Sequence, residues 1–487
     1  MEGVLVAPPL PVRDRLTIRP FHAFEEGGRK LLFVVENAAF VEADEASFML
    51  AELLTGRDVT SRSALLSELT QRCSAADAEA AVLGLEQLEI LVPKEIPRSP
   101  PAPDLHLTPL ASLVLHVAHD CNLRCGYCYA DFGRYGQSFG LMREDLAIAH
   151  VAKFFDQLGS TEKIHLTFFG GEPLMNVPVV SAAHSYAKSR AATEGRKISF
   201  GLTTNGTLLT KELADWFARE EITITVSIDG PPDVNDRLRV MSDGQGSYSE
   251  IVSRVRESGV RAIARVTLTH QSTDVARIVR HLVEAGFVEV GVSPVATGRK
   301  RFDLDGEDLK LVLKGFRELA EDFVSWAEKG RLFPFSNVKK LMEQIAAGQP
   351  RPTPCGAGTA LVAADDKGDW YACHRLVGQE AFRIGNASLG TDGPRRFGLV
   401  QRLDPRGREP CGTCWARYLC GGGCHHIAWL HAGEGEAPWA IGEFFCDFLR
   451  DWYKLGLSTY ADLVERAPGL LVHLRGSRTA CSQPSGL

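Results

Sequence analysis

Three cysteines, Cys121, Cys125 and Cys128, stand at the spacing C-x3-C-x2-C within His119-Asp120-Cys121-Asn122-Leu123-Arg124-Cys125-Gly126-Tyr127-Cys128-Tyr129. The apolar run Leu113-Val114-Leu115-His116-Val117-Ala118 leads straight into them and reads as a buried strand that empties into a loop. Three thiolates so placed can hold three irons of a [4Fe–4S] cluster and leave the fourth iron open to a ligand. A structural zinc site needs four protein ligands and a closed sphere, and no fourth Cys or His follows closely after Cys128. On spacing alone, zinc and reduced core thiols stay open as alternatives.

The chain has 487 residues, more than one core normally holds, so roughly two to four domains are expected. Its net charge is -7 with no basic block, which argues against a nucleic-acid partner. No run of about 18 apolar residues marks a membrane span. The N-terminus has no basic stretch followed by an apolar one, so no secretory signal is expected and the cytoplasm is the expected compartment. Without a signal, the twelve cysteines point to metal ligands in a reducing environment rather than to disulfides. Ten of the twelve fall in patterned groups. Cys73 reads as a small buried hydrophobe and Cys481 as a tail thiol.

Residues 1–97 form a first unit. Leu16-Thr17-Ile18, Leu31–Val35 and Ala39–Glu42 read as strands, with Ile90-Leu91-Val92 as a short closing one. Glu45–Leu54, Arg62–Arg72 and Ala75–Leu88 read as helices, the last with Ser74 as N-cap. A small winged-helix shape of three strands and three helices fits. The Pro-rich stretch Ile96–Pro103 opens a semi-rigid linker over 98–110. From 111 to 304 the pattern is strand, loop, helix, repeated. The expected strands are Leu113–Ala118, Ile164–Phe169, Ile198–Thr203, Ile222–Ile228, Ala262–Leu268 and Val288–Pro294. Between them lie helical stretches at Glu144–Gln157, Val177–Glu194, Lys211–Glu220, Tyr248–Glu257 and Asp274–Ala285. This alternation implies an α/β fold of parallel strands, a partial (β/α)6 TIM-type barrel with its chemistry at the C-terminal strand ends. Gly170-Gly171-Glu172-Pro173, Thr203-Thr204-Asn205-Gly206 and Ser227-Ile228-Asp229-Gly230 fall at such ends, and Arg265 lies on the fifth strand. Taken singly, the Gly-Gly turn, Asn205 and Arg265 have ordinary structural readings as well. Residues 305–349 read as an amphipathic helical bridge.

The cysteine loop resembles the C-x3-C-x-aromatic-C signature of the radical S-adenosylmethionine (SAM) enzymes, with Tyr127 as the aromatic residue, and the strand-end residues follow in that family's order. The resemblance implies a cluster on Cys121, Cys125 and Cys128 whose open iron chelates SAM and cleaves it to a 5′-deoxyadenosyl radical. By the same resemblance Gly170, Gly171 and Glu172 receive the SAM amino group, Asn205 and Ser227 lie near its ribose and carboxylate, and Arg265 lies near the carboxylate.

Over 350–466 the cysteines return as C-x12-G-x4-C, a gap, C-x2-C-x5-C-x3-C, a gap, and C: Cys355, Cys373, Cys411, Cys414, Cys420, Cys424 and Cys446. Zinc knuckles are the rival reading. The order resembles the SPASM domain, a C-terminal extension of radical SAM enzymes with two auxiliary [4Fe–4S] clusters, which brings the implied total to three. By that resemblance Cys411, Cys414, Cys420 and Cys446 complete the far cluster, and Cys355, Cys373 and Cys424 hold the near one. Many relatives have a further cysteine a few residues after the first; here Gly356–Leu361 contains none. His374 is a candidate proton handler, because histidine titrates near neutral pH, or else a hydrogen-bond donor to cluster sulfur. His425 and His426 read as supports around the cluster rather than ligands. The tail 467–487 carries no pattern.

The three-cysteine near site is similar to that of peptide thioether synthases. Two sister groups fit: maturases of Cys-rich ribosomal peptides, and maturases of the γ-subunit of quinohemoprotein amine dehydrogenase, which join Cys sulfur to an Asp or Glu methylene. The long N-terminal unit tilts the reading toward the second. The unit also resembles leader-peptide recognition domains, which bind a peptide by adding a strand to a sheet edge. The resemblance implies a small Cys-containing polypeptide substrate, with a leader segment in some cases, and an external electron donor of flavodoxin or ferredoxin type. Sulfatase-type oxidation of Cys or Ser and Cα-thioether formation are the rivals within the class. A non-catalytic iron–sulfur scaffold is the rival outside it.

Overall fold

The computed structural model of the protein describes residues 15–97, 105, 108–432 and 441–476. The expected linker over 98–110 falls largely outside the described residues, as does Cys481. Two compact units are present, Met1–Ala102 with Gly348–Pro350, and Pro103–Ala347 with Arg351–Leu487.

The first unit contains β1 (Arg15–Ile18), β2 (Phe21–Glu26), β3 (Arg29–Val34), β4 (Ala39–Glu42), α1 (Glu45–Leu54), β5 (Val59–Ser61), α2 (Arg62–Leu69), α3 (Ala75–Gln87) and β6 (Leu91–Pro93). All three helices open on a capping side chain: Asp44, Ser61 and Ser74 accept from the backbone N–H groups of Ser47, Ala64 and Asp77. The four strands read from the sequence are six, β2 and β5 being the additional ones, in two antiparallel sheets ordered β5-β1-β6 and β2-β3-β4. The missed strand β2 is half of a hairpin closed by Gly27-Gly28, both with positive φ (59° and 77°), the conformation a tight two-residue turn requires. Leu16, Ile18, Leu32, Leu50, Leu54, Leu65, Leu69, Val82 and Leu85 form the core, and Cys73 packs against it as a small hydrophobe.

The second unit begins with β7 (Ser112–His119), β8 (Gly140–Leu141), α4 (Glu144–Asp156), β9 (Lys163–Gly170), α5 (Val177–Thr193), β10 (Lys197–Thr204), α6 (Lys211–Arg219) and β11 (Ile222–Ser227). It continues through α7 (Pro232–Leu238), α8 (Tyr248–Ser258), β12 (Ala262–Leu268), α9 (Val275–Glu284), β13 (Glu289–Pro294), α10 (Gly306–Ala327) and α11 (Ser336–Ala347). The cysteine-rich part adds β14 (Leu361–Ala364), β15 (Asp369–Tyr371), β16 (Arg383–Asn386), β17 (Gly390–Thr391), α12 (Gly393–Leu403), α13 (Arg417–Cys420), α14 (His425–Ala432), α15 (Glu443–Arg466) and α16 (Pro468–Gly476). Strands β7, β9, β10, β11, β12 and β13 run parallel, each beside the next. This is the expected six-stranded partial barrel. Every residue of β7 is buried.

Three features depart from expectation. Strand β14 joins the barrel sheet parallel to β7, so the cysteine-rich region extends the barrel as a seventh parallel strand. The short helix α7 follows β11, started by Pro232. The described part of the tail, which shows no pattern in sequence, carries α16. Two contacts fix the cysteine-rich region on the barrel. The buried His150 of α4 accepts from Trp370 Nε1 at Nδ1 (2.8 Å), which leaves Nε2 to donate to the Asp365 carbonyl (3.0 Å). On α10, Phe316 meets Trp452 and Phe448 of α15 at centroid distances of 4.7 and 5.9 Å. Among the described residues no helix is long and apolar enough to cross a membrane.

Candidate functional site

The loop after β7 is held from two sides. On one, Gly171 N–H donates to the Ala118 carbonyl (2.7 Å) and Glu172 N–H to that of Asp120 (2.8 Å). A Cβ on Gly171 would lie 2.1 Å from the Asp120 carbonyl oxygen, and one on Gly170 would lie 2.2 Å from that of Ala118. These glycines serve a close approach of backbone to backbone, which sets the cysteine loop on the end of β9. On the other side, Arg124 N–H donates to the Val240 carbonyl (2.7 Å) and Gly126 N–H to that of Leu238 (3.0 Å).

Glu172 turns its side chain into the protein. Its carboxylate is fully buried and both oxygens face protein: Oε1 accepts from Leu174 N–H (3.0 Å) and Thr204 Oγ1 (2.7 Å), and Oε2 from Asn205 N–H (2.6 Å). Burial pushes its pKa up to about 7 against the pull of those donors. Glu172 is absent from the walls of the cavity described below. It ties the end of β9 to that of β10 and fixes Asn205, whose Nδ2 donates to Asn122 Oδ1 (2.8 Å) and reaches Cys121 Sγ (3.7 Å).

Sequence reasoning missed Arg239. It follows α7, and its Nε donates to Asp229 Oδ2 (3.0 Å) while Nη1 lies 4.0 Å from Cys125 Sγ. Tyr127, the aromatic residue of the motif, donates its hydroxyl to the same Asp229 oxygen (2.6 Å), and Thr267 N–H donates to the other (2.9 Å). Nothing local marks Arg239; only the Pro231-Pro232 pair after β11 signals a helix start there.

A cavity of about 290 Å³ opens over the strand ends. Its walls carry Cys121, Cys125 and Cys128 together with Cys355, Cys373 and Cys424. Tyr127, Gly170, Gly171, Asn205, Ser227, Arg265 and His374 also line it, so all but Glu172 of the residues expected around SAM meet in one place. The remaining four cysteines form a separate group, since Cys411, Cys414 and Cys446 each raise the pKa of Cys420. In the cavity, Cys355 and Cys424 likewise raise Cys373, and Cys121 and Cys128 raise Cys125. The ten thiols thus sort into sets of three, three and four.

These sets fit iron–sulfur clusters. Burial drives the thiols up, to about 11 for Cys121 and Cys355 and to about 12 for Cys125, Cys373 and Cys420, so a cation is needed to hold them as thiolates at neutral pH. Donors to sulfur are already placed: Leu123 N–H to Cys121 Sγ and Arg375 N–H to Cys373 Sγ, both at 3.4 Å. Among the described residues no three cysteine sulfurs all lie within 4.8 Å of one another, whereas zinc–sulfur bonds of about 2.3 Å hold tetrahedral thiolates closer than that.

His374 is buried in the cavity wall against the Phe169 ring (4.9 Å). Burial, and then the charges of Arg375 and Arg265, push its pKa down to about 3. These favour the neutral imidazole. His425 and His426 are buried at the start of α14. Arg265, Lys340 and Arg375 give the cavity a cationic wall. Gly291 of β13 makes room for it, since a Cβ there would lie 3.0 Å from Arg265 Nη1 and 2.6 Å from Ser336 Oγ.

Residues 115–274 match the radical SAM superfamily. The cysteine-type anaerobic sulfatase-maturating enzyme of Clostridium perfringens is 24% identical over 348 residues, 65% of this chain and 89% of that enzyme. An uncharacterised protein of Methanocaldococcus jannaschii is 30% identical over 279 residues, 55% of this chain and 85% of its own length. The solved structure of native anSMEcpe with bound AdoMet superposes with a TM-score of 0.62 at 18% identity, over 73% of this chain and 99% of that one. With its thiol-bearing loop seated on the first strand of a six-stranded parallel barrel and these relatives across most of its length, the chain belongs to the radical SAM superfamily.

Proposed function

We propose that the protein forms thioether cross-links within a small Cys-containing polypeptide, joining a Cys sulfur to the side-chain methylene of an Asp or Glu, in the manner of the maturases of the quinohemoprotein amine dehydrogenase γ-subunit. The observation that carries this reading is the sharing of one cavity by two sets of three thiols, Cys121, Cys125 and Cys128 with Cys355, Cys373 and Cys424. A set of three leaves one iron of a [4Fe–4S] cluster without a cysteine. The first set would hold the SAM-binding cluster, the second the near auxiliary cluster, and Cys411, Cys414, Cys420 and Cys446 the far one. With SAM bound, the first cluster supplies a 5′-deoxyadenosyl radical able to take one hydrogen atom from the substrate.

The chain's own residues do the rest. Tyr127, Asn205, Ser227 and Arg265 shape the SAM side of the cavity, and Glu172 fixes Asn205 from behind. Lys340 and Arg375 make no ion pair among the described residues, and Glu289, the one carboxylate on the described cavity wall, is taken by Lys339 (2.9 Å). That cationic wall suits the carboxylate of an acidic acceptor residue. Buried, neutral His374 keeps a single ring N–H near pH 7, with which it can position a polar group. Each C–S bond would form at the cost of one SAM, split to methionine and 5′-deoxyadenosine: the C–H hydrogen leaves as an atom to the deoxyadenosyl group, the S–H hydrogen leaves as a proton, and the one surplus electron would leave through the auxiliary clusters. The first unit would capture the polypeptide along a sheet edge, and a flavodoxin- or ferredoxin-type donor would supply electrons in the cytoplasm.

Anaerobic co-expression with the small Cys-containing polypeptide encoded beside the gene, followed by mass spectrometry, tests this. The expected result is loss of two hydrogens per modified cysteine, with sulfurs that resist reduction and alkylation. Sulfatase-type oxidation is the second reading, favoured by the names of the relatives. It predicts an aldehyde in place of a cross-link and would sink the thioether reading.

A further inference from the structure

Asp229 sits at the end of β11 with no exposure and gathers three donors: Tyr127 Oη (2.6 Å) and Arg239 Nε (3.0 Å) at one oxygen, and Thr267 N–H (2.9 Å) at the other. Asn235 Oδ1 accepts from Asp229 N–H (3.1 Å), so α7 holds the same residue. Arg239 is only 9% exposed at its side chain, and its guanidinium faces the Tyr127 ring at 5.6 Å and Cys125 Sγ at 4.0 Å. The segment bearing it is stitched to the cysteine loop by Arg124 and Gly126 and by a bridge between Leu123 and Met241. A cation and its counterion are thus fixed in series behind one thiol of the loop, the cation nearer the sulfur.

A cluster's reduction potential follows its net charge, the hydrogen bonds to its sulfurs and its exposure to solvent. A buried cation beside a ligand sulfur favours the more negative, reduced cluster, and a carboxylate behind it offsets that effect in part. Tyr127 has no direct share in such a field. Its hydroxyl orients Asp229, and its ring lies against the guanidinium.

We propose that Arg239 and Asp229 form a charge pair that sets the reduction potential of the cluster on Cys121, Cys125 and Cys128, with Arg239 raising it through Cys125 and Asp229 moderating it. The proposal rests on those three cysteines holding a cluster. It makes Arg239 a positioning residue, one that acts on the cluster's electronics through the thiolate.

The experiment is an EPR-monitored redox titration of anaerobically reconstituted full-length protein in which the auxiliary cysteines are intact. Arg239→Met, Asp229→Asn and the double variant are compared with wild type. Arg239→Met is expected to lower the midpoint of the first cluster, and Asp229→Asn to raise it. A tenfold change in the reduction equilibrium reads as 59 mV for one electron. The double variant falls between the two. A role confined to folding would move both single variants the same way, so shifts of one sign, or none, overturn the proposal. If Arg239→Met fails to fold, Asp229→Asn against the double variant still isolates the contribution of Arg239. A Cys121→Ala, Cys125→Ala, Cys128→Ala triple variant that keeps the wild-type iron content and SAM-responsive EPR signal refutes the cluster assignment itself, an outcome distinct from unshifted potentials.

Discussion

Replacing Glu172 by Gln tests whether this carboxylate is a structural tie. Oε1 takes two donors, Leu174 N–H and Thr204 Oγ1, and Oε2 takes one, Asn205 N–H. The amide will keep its oxygen where two donors converge and turn its NH2 toward Asn205, setting donor against donor. Losing one charge-assisted hydrogen bond costs about 1.5–3 kcal/mol, and stranding the buried N–H costs about 1–3 kcal/mol. Relief from burying a charge works the other way, since burial alone drives Glu172 toward a pKa of about 7. The net expectation is about 2 kcal/mol of destabilisation, a fall in melting temperature of about 4–8 °C by the scaling for domains of about 150–250 residues. The damage should pass through Asn205 to Asn122 and Cys121, so iron content after reconstitution should fall as well. Anaerobic differential scanning calorimetry at one scan rate, with iron analysis, makes the comparison. An unchanged melting temperature with full iron loading would refute the assignment of Glu172 as the tie between β9 and β10.

Other outcomes follow from the same geometry. Gly171→Ala should abolish iron loading of the first site, because its Cβ would meet the Asp120 carbonyl at 2.1 Å; wild-type iron content in the variant would show that the loop can yield. His150 has a pKa pushed down to about 4 by burial. A histidine depressed in the folded state contributes stability that is full above its ordinary value of 6.5 and drains away as pH falls toward 4, at about 1.4 kcal/mol per unit. His150→Gln should therefore melt lower at pH 7.5, with Trp370 Nε1 left unpaired, yet lose less on going to pH 5; parallel pH profiles would contradict this. Under the proposed thioether chemistry, Lys340→Met and Arg375→Met should each cut cross-linking of an acidic acceptor by roughly tenfold, the scale of a lost charged hydrogen bond. Neither should affect a substrate whose acceptor carboxylate is replaced by an amide, and mass spectrometry of the paired substrates reads the difference.

Local signals carried much of this protein. Six parallel strands and their helices were legible because each is an apolar run or a 3.6-residue stripe bounded by turn residues. Spacing marked the cysteines as patterned groups, and their division into three sets was implied by the resemblance to radical SAM and SPASM domains. The second unit also shows where such reading stops. β14 is four apolar residues, Leu361–Ala364, and only its pairing with β7 reveals it as part of the barrel. Glu172 stands in a motif that announces ligand binding, but the direction of its side chain depends on donors from β10, 32 and 33 residues away. Arg239 carries no signature at all, and its importance arises from sharing Asp229 with Tyr127, 102 residues from that tyrosine in sequence.

The sequence by itself determined which residues could bind metal, since thiol chemistry and ligand spacing are properties of composition and interval; how they divide among sites was implied by the resemblance. It also determined the order of strands and helices, since periodicity is local. Tertiary structure decided that two thiol sets face one cavity, that a cationic wall stands with them, that His374 is buried against Phe169 beside them, and that a buried ion pair backs Cys125. Burial, field and the direction of a side chain are set by neighbours far away in the chain, and no interval along one sequence encodes them.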